Sequence, residues 1–183
     1  MKNTFSFFII VLSFHLAQAQ FIKEKSINAQ IGYGLSVADY GLIDSYDDGL
    51  FLQGELVLKV LSWIELRPYA GIIYTTSGGE DNFDDVVTSK ALLLGGKTRL
   101  RAPIPWVAPY VEIGIGTSIG KFETFTPFDS IEKSGFIYHI PFSVGLELGK
   151  RNNFDLGFTY FFQPTVEQYV GAVAIGLTFP LNN

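Results

Sequence analysis

The feature that most constrains this chain is a period-two alternation of apolar and polar residues sustained through long segments. Ile27, Ala29, Ile31, Tyr33, Leu35 and Val37 fall on one side of an extended strand, and Asn28, Gln30, Gly32, Gly34 and Ser36 on the other. The pattern returns over residues 50–60, 69–76, 91–100, 110–121, 136–148, 154–163 and 169–179. It predicts eight strands, most of them about twice the usual globular length of five or six residues and close to the 9–11 that cross a bilayer at a tilt. Odd-numbered strands begin near residues 27, 69, 110 and 154. The repeat is a two-strand hairpin, whereas a propeller blade of that length would need four strands. The hairpin joints resemble one another: Trp63 precedes Pro68-Tyr69, and Trp106 precedes Pro109-Tyr110. Connections alternate between short (62–65, 102–108, 150–153) and long and polar (38–49, 77–88, 122–135).

Alternation alone is shared with a secreted lipocalin, in which the apolar face turns inward. Four features favour lipid outside. The apolar faces carry bulky residues such as Leu56, Ile113, Ile115, Phe142, Leu156 and Phe158. The opposite faces carry glycines and charges: Gly114, Gly116, Gly145, Gly157, Glu55, Lys97, Arg99, Glu112 and Glu147. Aromatic residues recur near strand ends (Tyr33, Tyr74, Tyr138, Phe154, Phe179), with Trp63 and Trp106 as interfacial anchors beside the short turns. A lipocalin's Gly-x-Trp near the start and its helix after the last strand are both missing. In hydrocarbon every backbone N–H and C=O needs an internal partner, so the strands must close on themselves. The expected fold is all-β, an eight-stranded antiparallel up-and-down transmembrane β-barrel. Pro141, mid-strand on the inward face, predicts a bulge.

The beginning of the chain has its own pattern. Lys2 precedes an apolar run over residues 5–16 and then Ala17-Gln18-Ala19. This is the arrangement of a secretory signal, so residues 1–19 are expected to be removed and 20–183 to form the barrel. The run is too short for a spanning helix. The absence of Cys excludes disulfides, thiolate metal sites and a lipoprotein acyl site. A net charge of −5 offers no footprint for nucleic acid.

The segments Pro109-Tyr110-Val111-Glu112-Ile113-Gly114-Ile115-Gly116 and Gly145-Leu146-Glu147-Leu148-Gly149, and the ending Gly176-Leu177-Thr178-Phe179, carry a family resemblance. From about residue 27 to 181 the chain resembles the small outer-membrane β-barrels of the OmpA/OmpX-like, outer membrane protein β-barrel domain kind. The resemblance implies residence in the outer membrane of a Gram-negative envelope, contact with its lipid and lipopolysaccharide, a monomeric barrel, and insertion by the barrel-assembly machinery. That machinery reads a terminal aromatic; here Phe179 is followed by Pro-Leu-Asn-Asn, a partial match. The family fixes location and leaves activity open.

Two groups of charges are candidate sites. Lys59, Arg67, Lys97 and Arg99 share the inward parity with Glu112, Glu147 and Asp155 near the short-turn end. Glu147 and Asp155 flank one short turn, so they are either an acid/base pair or, as favoured here, part of an ion-pair network, because an unpaired buried charge is very costly. Such a network would plug the lower lumen. Gln53, Thr75, Ser118, His139 and Phe161 would then line an upper cup open to the outside. The second group is the acidic loops: Asp44, Asp47 and Asp48; Glu80, Asp81, Asp84 and Asp85. Asp44, Asp48, Gly49 and Glu55 fall at EF-hand positions 1, 5, 6 and 12, but Tyr46 occupies position 3 and no helices flank them. Diffuse divalent-cation binding that bridges the loops to lipopolysaccharide phosphates fits these acids better than an EF-hand, and the alternative to both is a solvated, mutually repulsive loop surface. No dedicated metal site or cofactor is expected.

Residues 109–179 also bear a faint likeness to the lipid A deacylase family, whose barrel carries a His-x-Ser pair on the penultimate strand. Here that strand reads Phe158-Thr159-Tyr160-Phe161-Phe162-Gln163 and has neither residue. His139 and Ser143 share a face but lie about 13 Å apart at ~3.3 Å per residue. The sequence therefore favours a non-enzymatic structural or surface-interaction barrel, then a narrow porin or apolar-solute conduit, then a lipid-modifying enzyme.

Overall fold

The computed structural model describes residues 21–38, 46–76, 86–125, 130–165 and 168–181. Eight strands follow one another: β1 Glu24–Ala38, β2 Tyr46–Leu61, β3 Ile64–Thr76, β4 Val86–Arg101, β5 Trp106–Phe125, β6 Ser130–Gly149, β7 Phe154–Gln163 and β8 Gln168–Pro180. Each pairs antiparallel with its chain neighbours, and β8 pairs with β1 to close the barrel. The eight alternating segments of the sequence are these eight strands. Ile27, Ile31, Leu56, Ile72, Ile113, Ile115, Phe142 and Phe158 are exposed on the outer surface, as the lipid-outside reading requires.

Register partners show how the barrel is staggered. The path from Glu24 runs through Lys59, Glu65, Arg99, Glu112, Ser143, Thr159 and Ala172 and returns to β1 at Gly34. One circuit therefore climbs from residue 24 to residue 34 of β1. For eight strands that stagger corresponds to a tilt of about 40°. Inward residues far apart in sequence consequently lie along a rising spiral, and this spiral brings the charged side chains together.

Several local expectations change. β5 and β6 are each 20 residues long. At ~3.3 Å per residue they outrun the hydrocarbon layer, and their upper parts stand outside it. Residues 122–125 and 130–135, read from sequence as loop, belong to this long hairpin. Asp47 and Asp48 are strand residues of β2, paired with Ser36 and Leu35, and Asp47 is buried. Trp63 sits in the tight turn after β2, while Trp106 opens β5 with φ 72°.

Pro141 makes no bulge. The register is the same on both sides of it, and what is lost is pairing between Ile140-Pro141 and Gly114-Ile115. The ladder simply opens where Pro has no N–H to give β5. Pro68 opens β2–β3 in the same way opposite Leu56 and Val57. The register shift recorded in that ladder lies between Lys59 and Leu61, beside the turn. The signal segment 1–19 and the acidic residues Asp44, Glu80, Asp81, Asp84 and Asp85 lie outside the described residues.

Candidate functional site

The lower lumen is a charge layer built on the rising row. Arg67 on β3 gives Nη1 to Glu55 at 2.7 Å and Nη2 to Glu65 at 2.9 Å and to Glu147 at 3.3 Å. Lys97 on β4 bridges Glu55 at 2.6 Å and Glu112 at 2.8 Å. Arg99 donates Nε to Glu112 at 2.6 Å and Nη1 to both Glu147, at 2.7 Å, and Asp155, at 2.6 Å. Its guanidinium carbon stands 3.5 Å from the centre of the Tyr110 ring, and the Tyr110 hydroxyl donates to Asp155 at 2.5 Å. Arg101 closes the lower side through Glu147 at 2.7 Å and the Ser62 carbonyl at 3.1 Å. Arg67, Lys97, Arg99, Glu55, Glu65, Glu112, Glu147 and Asp155 are all buried. Charges at this depth are tolerable because each is met by opposite charges in hydrogen-bonding geometry.

The glycines that alternate with these groups are seats for tyrosine. A Cβ on Gly145 or Gly157 would run into the Tyr110 hydroxyl, and one on Gly116 would run into the Tyr69 hydroxyl and His139 Nε2. At these three positions the space a side chain would take is already filled.

Above the charge layer the barrel fills with apolar and neutral groups. Phe51, Ile73, Leu93, Phe122, Phe161 and Val170 belong to one buried cluster. Within it Gln163 donates to Ser118 at 3.0 Å, Ser118 Oγ meets His139 Nδ1 at 2.7 Å, and His139 Nε2 meets the Tyr69 hydroxyl at 2.5 Å. Ser36, Thr75 and Ser89 form a hydroxyl knot, with Ser36 Oγ 3.1 Å from Thr75 Oγ1 and 3.0 Å from Ser89 Oγ. The expected open cup is therefore absent from the described residues: Thr75, Ser118, His139 and Phe161 have no exposed surface.

Of the sequence-derived lumen set, Arg67, Lys97, Arg99, Glu112, Glu147 and Asp155 meet in this layer. Lys59 does not: it pairs with Glu24 at 2.7 Å at the lower mouth and keeps 24% of its side chain exposed. Glu65, Arg101 and Tyr110 were missed. Glu55 was weighed as a calcium ligand, but Asp48, Gly49 and Glu55 run along one strand, about 23 Å end to end at ~3.3 Å per residue, and cannot ring one ion. Their shared inward parity was the signal available for Glu65 and Arg101. Each lay at the edge of a segment read as turn. Glu147 and Asp155 do face each other in register, and Arg99 Nη1 lies between them. His139 finds Ser118, on the neighbouring strand, while Ser143 bonds Thr159 at 2.9 Å.

Comparisons with solved structures return the same architecture. Neisserial surface protein A superposes with a TM-score of 0.63 at 10% identity, over 86% of this chain and 97% of that one. Ail, the attachment invasion locus protein of Yersinia pestis, gives 0.52 at 18% identity over 86% and 99%. The N-terminal β-barrel domain of Pseudomonas aeruginosa OprF gives 0.50 at 12% identity over 84% and 97%. This chain shares the closed eight-stranded antiparallel barrel fold of these outer-membrane proteins. The inverted polarity of the barrel, apolar outside and charged within, is that of a barrel whose outer surface faces lipid. No protein-family model matches the sequence, and no curated protein matches it.

Proposed function

We propose that this outer-membrane barrel is a closed, non-enzymatic platform that holds its outer connections at the cell surface for interaction. The observation that carries the reading is the packed lumen: a buried ion-pair layer below, in which Arg67, Lys97 and Arg99 each meet carboxylates, and the Phe51–Phe161–Leu93 packing above. Eight-stranded barrels have interiors that side chains can just fill, and here they do. A conduit would have to break both layers.

An enzymatic reading would need a reactive group open to substrate. The Ser118–His139 contact has the geometry of an activated hydroxyl, but the second ring nitrogen meets Tyr69 where an orienting carboxylate would stand. Both residues are sealed from lipid and water. Ail, a protein named for attachment and also crystallised with the heparin analogue sucrose octasulfate, shares the fold. Its name supports a surface role for such barrels. A polyanion is a poor fit to this chain, whose outer connections carry Asp44, Glu80, Asp81, Asp84 and Asp85. Those acids suit divalent cations shared with lipopolysaccharide phosphates. In this reading the barrel is a monomer seated in outer-membrane lipid, delivered by its signal segment and the assembly machinery.

Single-channel recording tests the reading. Protein verified as folded by its heat-dependent gel mobility is expected to be silent in a planar bilayer. Discrete, reproducible current steps would show that the charge layer is no seal and would move the function to transport.

A further inference from the structure

The lipid-facing surface carries a trough. Ala29, Gly54 and Ala70 are cross-strand neighbours on β1, β2 and β3 and face outward. They floor a groove of about 390 Å³ that Leu52, Ile72 and Leu92 wall above. Nothing in the chain requires Gly54 to be small. A Cβ built there comes no closer than 3.9 Å to any atom beyond its chain neighbours. The inward Gly116, Gly145 and Gly157 differ, since tyrosine hydroxyls occupy their space. Glycine weakens a strand, and at Gly54 no contact within the barrel offsets that cost. One row above the groove wall, in register, stand Tyr74 on β3, Lys90 on β4 and Lys121 on β5. Lys90 and Lys121 are directly opposite each other and exposed, immediately beyond the outward apolar residues Leu92 and Ile119. Like charges so placed repel one another. Lys121 reaches Glu132 at 3.2 Å. Among the described residues Lys90 meets no carboxylate within ion-pair range, and its Nζ lies 5.2 Å from the centre of the Tyr74 ring.

We infer that groove and lysines are one site, which holds a phosphorylated glycolipid of the leaflet at the long-connection end, with a phosphate between Lys90 and Lys121 and one acyl chain in the trough over Gly54. The inference rests on the outer-membrane reading and not on the closed lumen. Charge selects the head. Cations at the edge of the hydrocarbon attract anionic headgroups, and one phosphate can accept from both ammonium groups at once. Length agrees with the tail. Ala70 lies four residues below Tyr74, the register partner of Lys90, or ~13 Å along the strand. A fatty chain spans that distance while its head stays at the interface. The trough also separates a lipid from free phosphate, to which an apolar groove offers nothing. Tyr74 stands at the boundary, where a ring with one apolar and one polar end is well placed.

The probe is lipid A. The whole barrel, its folding verified by heat-dependent mobility, is placed in phosphatidylcholine nanodiscs doped with lipid A and released into mild detergent. Retained lipid is counted by native mass spectrometry over a lipid A titration. One lipid A per barrel is expected at saturation. Lys90→Gln combined with Lys121→Gln should weaken retention roughly tenfold or more. Gly54→Leu, which fills the trough without touching the lysines, should weaken it several-fold. Lys59→Gln, at the opposite mouth, should leave it unchanged. Lipid A stripped of its phosphates should not be retained, and inorganic phosphate at equal concentration should not displace the intact lipid. Equal retention by the double variant or by Gly54→Leu, equal loss in Lys59→Gln, retention of the dephosphorylated lipid, displacement by inorganic phosphate, or a protein dimer in place of the lipid complex would each overturn the inference. Current steps in channel recordings would overturn the closed platform and leave this site standing, because the lumen and the outer face are read separately.

Discussion

Arg99 is the group on which the lower lumen depends most, and its removal gives the sharpest test. In Arg99→Met the apolar stem is replaced at similar length, and the guanidinium is lost. Glu112, Glu147 and Asp155 then lose contacts of 2.6, 2.7 and 2.6 Å together. Each charge-assisted hydrogen bond is worth roughly 1.5–3 kcal/mol, which taken singly would sum to more than the usual effect. The bonds are not independent. Lys97 still holds Glu112 at 2.8 Å, and Arg101 and Arg67 still hold Glu147 at 2.7 and 3.3 Å. Asp155 keeps the Tyr110 hydroxyl, but Arg67 comes only within 3.9 Å of it. The uncompensated group is chiefly Asp155, so the loss should match that of breaking one buried pair, about 3–5 kcal/mol. The assay is reversible urea unfolding in lipid vesicles followed by tryptophan fluorescence, with Trp63 and Trp106 as reporters at the lower rim. Arg99→Lys should fall between, at roughly 2 kcal/mol, because one ammonium cannot repeat the fork or the stacking on Tyr110. A loss below about 1 kcal/mol in Arg99→Met would refute the argument, since it would mean that water already reaches these carboxylates.

Three further outcomes follow from the same geometry. Gly145→Ala drives a methyl group into the Tyr110 hydroxyl and the Leu156 carbonyl, and should cost about 1–3 kcal/mol by urea unfolding; Tyr110→Phe in the same chain should recover only part of it, because the carbonyl remains. Lys59→Ala breaks a pair whose Glu24 partner is 66% exposed, and should change the unfolding free energy by less than about 1 kcal/mol in the same titration. His139→Phe leaves the Tyr69 hydroxyl without its buried partner and Ser118 with Gln163 alone, and should destabilise by roughly 1–3 kcal/mol without opening a current in bilayer recordings; current steps would show that the apolar layer does not seal by itself.

The fold was legible in the sequence wherever lipid imposes it. A strand that faces hydrocarbon must place an apolar side chain at every second residue, so Ile113 and Ile115 or Leu156 and Phe158 announce both strand and face. Above the bilayer that demand lapses. Residues 122–125 and 130–135 read as loop although they are paired strand, and Glu132 stands exposed there where lipid would demand an apolar group.

The candidate site was legible to the level of parity and no further. Inward parity assigns Lys97, Arg99, Glu112 and Glu147 to the lumen, but partnership depends on height, and height depends on the stagger, which no single strand contains. The stagger carries Glu65 up to Arg99 and Arg99 up to Glu112, so residues at opposite ends of their own strands meet. It also lowers Glu24 and Lys59 to the mouth, where their pair is left partly in solvent. A barrel of the same sequence pattern with a smaller stagger would bring different charges level. The ion-pair network is therefore a property of closure as much as of composition, and it fixes the register from inside while the apolar exterior, equally content with any shift by two residues, cannot.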